Sequence, residues 1–431
     1  MGPRESSATI GPSPASGRRL RVLVLSFTFP SARQPTLGVF VRERVRRIAE
    51  HCDVVVVAPV PWFPFNRLIR GEQWAGIPRR ERDGALEVHH PRFFCIPRYL
   101  KCLDGVLYAV SLIPFLRRLR RNFSFDVIDA HFAYPDGLAA TILGRIFRRP
   151  VVITLRGSIV RLATYRLHRP QLRAALRAAS RVLAVSESLK RVAMTLGISP
   201  QKVRVIPNGV DTTRFFPVEQ AGARRALGLP TEGPILLSVG GLNEGKGHHR
   251  IVAMLPSLLR HHPDLLYVIV GGGRAADSLR PVLERLVRDL SLEKHVLLAG
   301  ERPHEEIPRW MGACDVFCLA TRSEGWANVL LEALACGRPV VSTQVGGNAE
   351  IVTDPALGTL VPAGDDEAFA QAVLATLQRQ RMPEVLAAHA QQHSWETAAR
   401  DVVAELYGVA RKSAERLPAG VAPTYLDEGL R

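Results

Sequence analysis

The sequence comprises 431 residues, of which 47% are hydrophobic and 23% charged, a balance that is typical of globular proteins and excludes disordered, collagen-like and multi-span membrane chains. Its length is about three times that of a typical domain, so we expect two domains with separate cores. The formal net charge is +17, but residues 1–212 hold 35 lysines and arginines against 14 acidic residues, whereas the remainder hold 22 against 26.

The basic N-terminal half is expected to meet an anionic partner. A membrane leaflet, a polyphosphate lipid, an acidic glycan and nucleic acid would each fit this charge. No recognised nucleic-acid-binding motif accompanies the charge, so no nucleic-acid partner is predicted. A solvated, arginine-rich surface without a partner is the alternative.

Cysteine usage and hydropathy predict a reduced, cytoplasmic protein. The six cysteines are scattered along the chain, and the close pair Cys314 and Cys318 lacks the second pair of a zinc site, so we predict no metal. The first apolar run, 20–29, alternates like a strand and lacks a cleavage site, so no signal peptide is predicted. The longest apolar stretch, 103–116, falls short of the roughly 20 residues of a membrane-spanning helix.

In chain order, residues 1–19 are rich in Gly, Pro, Ser and Arg and are predicted to be a disordered basic tail. Short β-branched runs then alternate with segments of helical periodicity, such as 39–50 and 169–179. This alternation predicts a parallel sheet covered on both faces, in an N-terminal domain of residues 20–212. The predicted strands of this domain are 22–25, 54–58, 127–130, 151–155, 182–185 and 203–206.

The same alternation restarts after a turn-rich stretch at 207–234. It predicts a second domain of the same kind, residues 213–394, with strands at 235–239, 266–270, 296–299, 316–319 and 340–342. Residues 395–412 are predicted to form a helix that crosses back onto the first domain, and residues 413–431 a tail. The chain is therefore expected to be an α/β protein with two Rossmann-like, doubly wound parallel sheets.

Several loops of the N-terminal domain follow predicted strands, at the edge where doubly wound sheets bind ligands. Gly38 directly precedes a helix, so its backbone can approach a phosphate closely. His131 lies in the segment 129–137, at the end of a strand, where a lone histidine can also be structural. Arg156 ends another strand and either binds phosphate or caps the strand, and Asn208 is a further possible phosphate or acceptor contact.

A glycine-rich turn at 240–247 follows a predicted strand and carries Lys246, a combination that suits a phosphate. It fits the start of a Walker A loop, but Gly247 stands where that motif places a magnesium-binding Ser or Thr, so nucleotide hydrolysis is not predicted. The glycines at 271–273 lack the remaining features of a dinucleotide-binding fingerprint. The adjacent histidines His248 and His249 would point to different faces of a helix and are predicted to lie on the surface.

Glu324 and Glu332 flank seven residues at the start of an apolar, helical run. If the helix begins near Asn328, Glu332 lies about one turn inside it, roughly 6 Å further along. Carboxylates accept hydrogen bonds from vicinal hydroxyls, and the free amides of 325–328 with the helix dipole favour a diphosphate. An ordinary acidic helix N-terminus is the alternative.

Together these segments resemble the retaining family 4 glycosyltransferases of the GT-B fold, whose signature is such a pair of glutamates. The resemblance extends from residue 20 to about residue 408 and includes the segments 205–211, 336–341 and 346–352. It implies two domains that face a central cleft, a nucleoside-diphosphate sugar as the donor substrate, and no cofactor. The similarity to exopolysaccharide and teichuronic-acid-type enzymes implies a glycan or lipid-linked acceptor.

The resemblance also implies roles for individual residues. Glu332 would hold the donor ribose, Lys246 the diphosphate, and His131 the donor sugar near the reacting carbon. The implied catalytic residues are His131, Lys246 and Glu324. The implied donor-binding residues are Gly38, Lys246, Glu324, Gly325, Trp326, Ala327, Asn328 and Glu332.

No Asp-x-Asp signature suggests a catalytic metal, so we expect metal-independent transfer. No carboxylate pair placed for double displacement is identifiable, so we expect transfer on one face of the sugar, with retention of configuration. Gly241 stands where the family usually has a diphosphate-binding arginine, and Ile159 where an aspartate often follows. A basic residue of the N-terminal domain could replace that arginine, or donor binding could be weaker. A non-catalytic nucleotide-sugar-binding scaffold and a nucleotide-sugar epimerase of the same fold remain alternatives.

Two segments, 63–70 and 99–125, mix aromatic and basic side chains. This mixture favours a peripheral contact with the inner face of the plasma membrane. A helix that packs on the sheet and leaves a solvated basic end is the alternative interpretation.

Overall fold

The computed structural model of the protein describes residues 18–64, 76–96, 99–272, 278–380 and 382–415. The predicted tails lie outside these residues, apart from Arg18 and Arg19 at one end and 413–415 at the other. Residues 65–70 of the first aromatic and basic segment, and Gly273, also lie outside them.

Ten strands occupy the first half of the described chain. Eight of them form one sheet in the order β10-β9-β8-β7-β1-β2-β5-β4, and β3 pairs with β6 in a separate parallel ladder. All neighbours in the large sheet are parallel except β4 and β5. The strands are β1 Arg21–Leu25, β2 Asp53–Val57, β3 Val60–Trp62, β4 Arg80–Asp83, β5 Leu86–His89, β6 Arg92–Phe94, β7 Val127–His131, β8 Val151–Leu155, β9 Arg181–Ala184 and β10 Val203–Val205.

Six parallel strands form the second sheet in the order β13-β12-β11-β14-β15-β16. Their bounds are β11 Ile235–Val239, β12 Leu266–Val270, β13 Val296–Gly300, β14 Val316–Leu319, β15 Val340–Thr343 and β16 Gly358–Val361. Every β-branched run predicted as a strand is a strand, so the predicted pair of doubly wound, mainly parallel sheets is confirmed.

Helices flank both sheets. In the first half they are α1 Val39–Ala49, α2 Asp104–Asn122, α3 Leu138–Phe147, α4 Ser158–Leu162, α5 Arg169–Ala178 and α6 Glu187–Thr195. In the second half they are α7 Gln220–Leu227, α8 His248–Leu259, α9 Arg280–Asp289, α10 Ile307–Ala313, α11 Asn328–Ala335, α12 Asn348–Ile351, α13 Asp366–Gln378, α14 Pro383–Gln391 and α15 Trp395–Ala414. Short 3-10 turns lie at Lys101–Leu103, Pro200–Lys202 and Glu244–Lys246, and a wide turn lies at Ala133–Gly137.

The last helix, α15, packs against α1 and the first sheet. Its buried residues Val402 and Leu406 share one core cluster with Val22 and Val24 of β1. On the polar side, Glu405 forms an ion pair with Arg181 at 2.6 Å. The predicted boundary between residues 212 and 213 falls in the chain between β10 and β11, and we retain the domain limits as a prediction.

Candidate active site

A cleft of about 940 Å³ lies between the two halves of the chain. The loop 33–37 and the first residues of α1 line it from the N-terminal half. From the C-terminal half, the turns that follow β11, β12 and β13 line it together with α11. The cleft therefore lies at the carboxyl ends of the strands, where doubly wound sheets bind ligands.

Glu332 lies in the second turn of α11, which begins at Asn328 as predicted, and both residues line the cleft. Oε1 of Glu332 is 3.8 Å from Nε2 of His304, and Nδ1 of His304 is 2.8 Å from NH1 of Arg214. Because arginine can only donate, Nδ1 of His304 accepts, and the proton of the neutral ring lies on Nε2, toward Glu332. A carboxylate oriented in this way at a cleft can accept hydrogen bonds from ligand hydroxyls.

Lys246 and Glu324 form a direct ion pair beside the cleft. Nζ of Lys246 donates to Oε1 of Glu324 at 2.6 Å, and the hydroxyl of Thr321 donates to the same oxygen at 3.2 Å. The side chain of Lys246 passes over Gly240, which lines the cleft. The predicted phosphate-binding cation and one predicted sugar-binding carboxylate are therefore brought together.

The two glycine turns that follow β11 and β12 pack directly on each other. A Cβ atom added to Gly271 would lie 1.8 Å from the carbonyl oxygen of Gly240, so a side chain at Gly271 would collide with the neighbouring backbone. The amide of Leu242 donates to the carbonyl of Gly272 at 2.8 Å. This packing presents bare backbone to the cleft, which allows a ligand to approach closely.

The loop that holds Glu324 and Gly325 packs directly against Gly157 of the N-terminal half. A Cβ atom added to Gly325 would lie 2.7 Å from the amide nitrogen of Gly157, and one added to Gly346 would lie 1.7 Å from the carbonyl oxygen of Glu324. Side chains at these glycines would therefore push the loop away. Trp326 and Ala327, which were predicted to bind the donor, are buried in this contact region.

Asp129 and His131 end β7, and both are fully buried. Nδ1 of His131 is 3.2 Å from NH2 of Arg156, and Nε2 is 3.3 Å from Oδ2 of Asp129. Since Arg156 can only donate, Nδ1 accepts and the ring proton lies on Nε2. Burial lowers the pKa of His131 against the opposing effect of Asp129, so the imidazole is neutral at neutral pH. Burial would raise the pKa of Asp129, but the opposing effects of His131, Arg44 and Arg156 lower it.

Arg156 connects the two halves through a line of hydrogen bonds. NH1 donates to Oδ1 of Asn208 at 2.7 Å, and Nδ2 of Asn208 donates to Oδ1 of Asn328 at 3.0 Å. Burial lowers the pKa of Arg156, whose guanidinium stacks on Phe40 at 4.9 Å. Arg156 and Asn208, predicted to contact phosphate or acceptor, thus join His131 to the first residue of the helix that carries Glu332.

Arg44, in α1, is a buried cation that was missed by the sequence analysis. It is 1% exposed, and none of its guanidinium nitrogens has a hydrogen-bond partner among the described residues. Burial lowers its pKa to about 10, and the nearby charge of Asp129 opposes that shift. A signal was available, because Arg44 interrupts the buried stripe of Val41, Val45 and Ile48.

Asp136 holds the loop after β1 in place. Its Oδ1 accepts hydrogen bonds from the amide of Phe27 and from the hydroxyl of Tyr108, and the side chain is buried. Burial raises its pKa to about 8. The same loop ends at Gly38, whose φ of 73° is left-handed and whose added Cβ would lie 2.4 Å from the carbonyl oxygen of Thr28. These constraints fix the cleft-lining residues on both sides of Gly38.

The prediction that both adjacent histidines lie on the surface is wrong for His248. This side chain is fully buried at the start of α8, against the turn of Gly240 and Gly241, and burial lowers its pKa to about 4. His249 is only partly buried. The first turn of α8 packs beneath the glycine turn, so the residue after Gly247 points into the core.

Within the described ranges, no three His, Cys, Asp or Glu side chains come together to hold a metal ion. None of the helices described combines the length and the apolarity needed to cross a membrane.

Two family models match the chain: residues 37–214 match Glycosyltransferase Family 4, and residues 219–393 match Glycosyl transferases group 1. TuaC of Bacillus subtilis, which is named for teichuronic acid biosynthesis, is 30% identical over 76% of this chain and 82% of its own. The chain belongs to glycosyltransferase family 4. A GDP-mannose-dependent phosphatidylinositol monomannoside mannosyltransferase of Mycolicibacterium smegmatis is also 30% identical, over 82% of this chain and 88% of its own.

Solved structures show the GT-B fold. Sucrose-phosphate synthase from Thermosynechococcus elongatus superposes with a TM-score of 0.74 at 21% identity, over 92% of this chain and 100% of that one. HepE of Anabaena in complex with UDP and glucose gives a TM-score of 0.69 at 21% identity, over 90% of this chain and 100% of that one. This family 4 member is therefore a glycosyltransferase with the GT-B fold, as the sequence predicted.

Proposed function

We propose that this glycosyltransferase moves a sugar, with retention of configuration and without a metal ion, from a nucleoside-diphosphate sugar to a hydroxyl group of a glycan or lipid-linked acceptor. One observation carries the proposal: the Lys246–Glu324 pair adjoins a cleft that is lined by Glu332 and by two bare glycine turns. A cation, two carboxylates and close backbone approach suit the diphosphate and the hydroxyl groups of such a donor.

In this proposal the donor binds to the C-terminal domain, residues 213–394. Glu332 accepts hydrogen bonds from the ribose diol, and Glu324 with the amides of 325–328 holds the sugar hydroxyls. Departure of the diphosphate concentrates negative charge on its oxygens. Lys246 and the positive end of α11 stabilise that charge without rearrangement of solvent.

On the N-terminal side, His131 is proposed to act near the reacting carbon, the role that the family resemblance gives it. Its side chain is fully buried between Asp129 and Arg156, so this role requires Phe40 and Arg156 to shift when the donor binds. The leaving phosphate is proposed to help deprotonate the acceptor hydroxyl, which is consistent with transfer on one face of the sugar.

The acceptor is proposed to belong to cell-surface or exported polysaccharide synthesis, with the enzyme acting in the cytoplasm at the inner face of the membrane. Two relatives support this proposal by their names, one for teichuronic acid biosynthesis and one for a phosphatidylinositol mannoside. The basic N-terminal half suits an anionic acceptor or leaflet.

Donor binding is tested by thermal unfolding of the full chain with UDP-, GDP-, ADP- and dTDP-sugars in the presence of EDTA. A ligand that binds only the native state raises the midpoint, and we expect saturable stabilisation by one sugar nucleotide. Glu332→Gln should remove most of that shift, whereas Glu293→Gln, an exposed glutamate of the same half, should not. Absence of a shift with all four classes contradicts the proposed donor site.

The reaction itself is tested by NMR of the product formed from an α-linked donor. We expect an α-glycoside and a rate that EDTA does not change. A β-glycoside contradicts retention, and loss of the rate in EDTA contradicts metal independence. Conversion of the donor to a second sugar nucleotide without acceptor identifies an epimerase instead.

A further inference from the structure

One stripe of α2 is exposed along its whole length and changes from apolar to basic. Leu103, just before the helix, and Val106 and Val110 within it are 41%, 44% and 57% exposed. Spacings of three and four residues place them on one face. Arg117 and Arg121 continue the same face toward the end of the helix, Arg118 borders it, and all three are exposed.

The opposite face of α2 already supplies the packing that holds the helix in place. Tyr108, Leu112 and Leu116 are fully buried in the core of the N-terminal half. The exposed stripe therefore has no part in that core. An exposed apolar stripe of this extent indicates an interaction surface.

Aromatic side chains extend the stripe on both sides. Trp62 and Phe94 are register neighbours in the β3–β6 ladder and are 47% and 41% exposed. The amide of Phe94 donates to the hydroxyl of Ser111 in α2 at 3.2 Å, which places this aromatic pair against the helix. Tyr99, which precedes the helix, is 74% exposed. Trp and Tyr are the side chains that concentrate at membrane–water interfaces.

The charges around the stripe favour a lipid surface, rather than another protein, as the partner of this face. Arg117, Arg118, Arg120 and Arg121 are all exposed. The single acidic residue of α2, Asp104, forms an ion pair with Lys101 at 3.1 Å and leaves the arginines unopposed along the helix. Exposed aliphatic and aromatic side chains can enter the interface of a leaflet, and adjacent arginines are attracted to its anionic lipids.

We propose that the exposed face of α2, flanked by Trp62 and Phe94, docks this enzyme on an anionic bilayer surface. The first turn of α2 lies against the turn that follows His131, because the amide of Gly105 donates to the hydroxyl of Tyr134 at 3.1 Å. Docking therefore sets the leaflet beside the N-terminal side of the cleft. Delivery of a lipid-linked acceptor to the N-terminal side of the cleft rests on the proposed function, whereas docking of α2 on the bilayer does not.

Flotation of the full chain with vesicles tests the docking. We expect the protein to float with vesicles of phosphatidylcholine mixed with phosphatidylglycerol and to bind vesicles of phosphatidylcholine alone much more weakly. The double substitution Val106→Glu with Val110→Glu should weaken binding to the mixed vesicles about tenfold or more, because it places carboxylates where the apolar stripe enters the leaflet. Arg118→Gln with Arg121→Gln should weaken it about fivefold for each arginine.

Matched controls lie in the C-terminal half. Val282 and Val385 are 53% and 42% exposed on helices α9 and α14, so their double replacement by Glu adds the same charge elsewhere. Arg285→Gln with Arg288→Gln removes two exposed arginines of α9. Both controls should float like the wild type, and every variant should keep the wild-type unfolding midpoint because all these side chains are exposed.

The proposal is overturned if the wild type floats with neither vesicle, or if the α2 variants and their controls lose binding equally. It is also overturned if this face joins two copies of the chain, seen as a dimer that Val106→Glu with Val110→Glu converts to a monomer without vesicle binding. Thermal stabilisation by a sugar nucleotide is scored separately, so failure of docking and failure of the proposed function are distinguishable.

Discussion

The two sides of the cleft hold their charges in opposite ways. On the C-terminal side, the side chains of Lys246 and Glu324 are 28% and 12% exposed and form a pair at 2.6 Å. On the N-terminal side, Asp129 and His131 are fully buried, and Arg44 lies close to them without a hydrogen-bond partner within the described residues. The first arrangement can exchange its partners for a ligand, whereas the charges of the second are already removed from water before any ligand arrives.

This difference predicts whether a substitution on each side of the cleft changes mainly activity or mainly stability. A charge that keeps contact with water loses little when its partner is removed, because solvent replaces the partner. A buried charge that loses its partner retains the full cost of desolvation. Substitutions on the C-terminal side should therefore change activity with little effect on stability, and substitutions on the N-terminal side should change stability first.

The largest expected effect is that of Asp129→Asn. It leaves the cations of Arg44 and Arg156 buried without their shared anion, and we expect the free energy of unfolding to fall by about 3–5 kcal/mol. Urea unfolding measures this loss. Asp53→Asn, which removes a half-exposed carboxylate from strand β2 of the same sheet, should cost less than about 1 kcal/mol.

A second substitution distinguishes lost pairing from lost packing. Arg44→Met in the Asp129→Asn background removes one of the two unpaired cations and should recover a large part of the lost stability. If Asp129→Asn alone unfolds no more readily than Asp53→Asn, the N-terminal charges are not coupled as described, and the contrast between the two sides is wrong.

Lys246→Ala is expected to lower activity strongly and stability little, which is the opposite of Asp129→Asn. Loss of the cation that is proposed to face the departing diphosphate should lower kcat by about 10²-fold, which corresponds to about 3 kcal/mol of transition-state stabilisation. The urea midpoint should stay close to that of the wild type, because the lysine is partly exposed. Lys294→Ala, which removes an exposed lysine of the same half, controls for the change in net charge. A stability loss as large as that of Asp129→Asn would contradict the proposed division.

The buried carboxyl of Asp136 predicts how pH acts on the N-terminal side. Its pKa is about 8 in the folded protein and about 4 when unfolded, so the folded chain holds a proton that the unfolded chain releases. Stability from this group therefore falls as pH rises through that window and levels off above it. Between pH 6 and pH 8 we expect a loss of about 2 kcal/mol.

Asp136→Asn tests that expectation, because its amide oxygen can still accept the hydrogen bonds from Phe27 and Tyr108 but does not titrate. The variant should match the wild type at or below about pH 4 and exceed it increasingly up to pH 8. Asp354→Asn, on the exposed surface of the other half, should keep the wild-type pH dependence. Equal slopes for Asp136→Asn and the wild type would show that this carboxyl is ionised when folded.

The sequence was most informative where one short segment determines the structure. Buried parallel strands such as β1 and β8 are continuous β-branched runs and were predicted correctly. The strands β3, β4, β5, β6 and β16 were not predicted. Of these, β3 contains Pro61, and β4 reads Arg-Glu-Arg-Asp, with charged side chains on both faces. Such short edge and side-ladder strands depend on neighbours that are distant in sequence.

The residues of the candidate site also divide into those that one short segment reveals and those that depend on distant parts of the chain. Lys246, Glu324 and Glu332 could be found because each lies in a compact motif whose spacing reflects one turn and one helix. His304 and Arg44 could not be assigned roles, because His304 reaches Glu332 from a separate loop and Arg44 owes its importance to Asp129 on another element. The hydrogen bonds from Arg156 through Asn208 to Asn328 could not be predicted either, because they depend on how the two halves approach each other.

The smallest expected effect concerns an arginine of the N-terminal half that could contact the diphosphate of a donor bound to the C-terminal half. Gly241 stands where the family usually has an arginine, and two arginines line the cleft, Arg33 and Arg302. Nε of Arg302 donates to the carbonyl of Ala299, and its guanidinium lies over the ring of Trp310 at 5.6 Å. Arg33, from the N-terminal half, is therefore the better candidate for a second diphosphate cation.

Arg33→Gln should weaken donor binding about fivefold at low salt, which corresponds to about 1 kcal/mol, and the difference should shrink at high salt because the arginine is exposed. Arg82→Gln, which replaces another exposed arginine of the same half, should leave donor binding unchanged.

The decisive variant is Gly241→Arg in the Arg33→Gln background. An added Cβ at Gly241 meets only the amide end of Asn243 at 3.2 Å and the carbonyl oxygen of Gly272 at 3.7 Å, so the side chain is tolerated. Recovery of affinity would show that Arg33 supplies the charge that the glycine turn lacks, and no loss in Arg33→Gln would return that role to Lys246 alone.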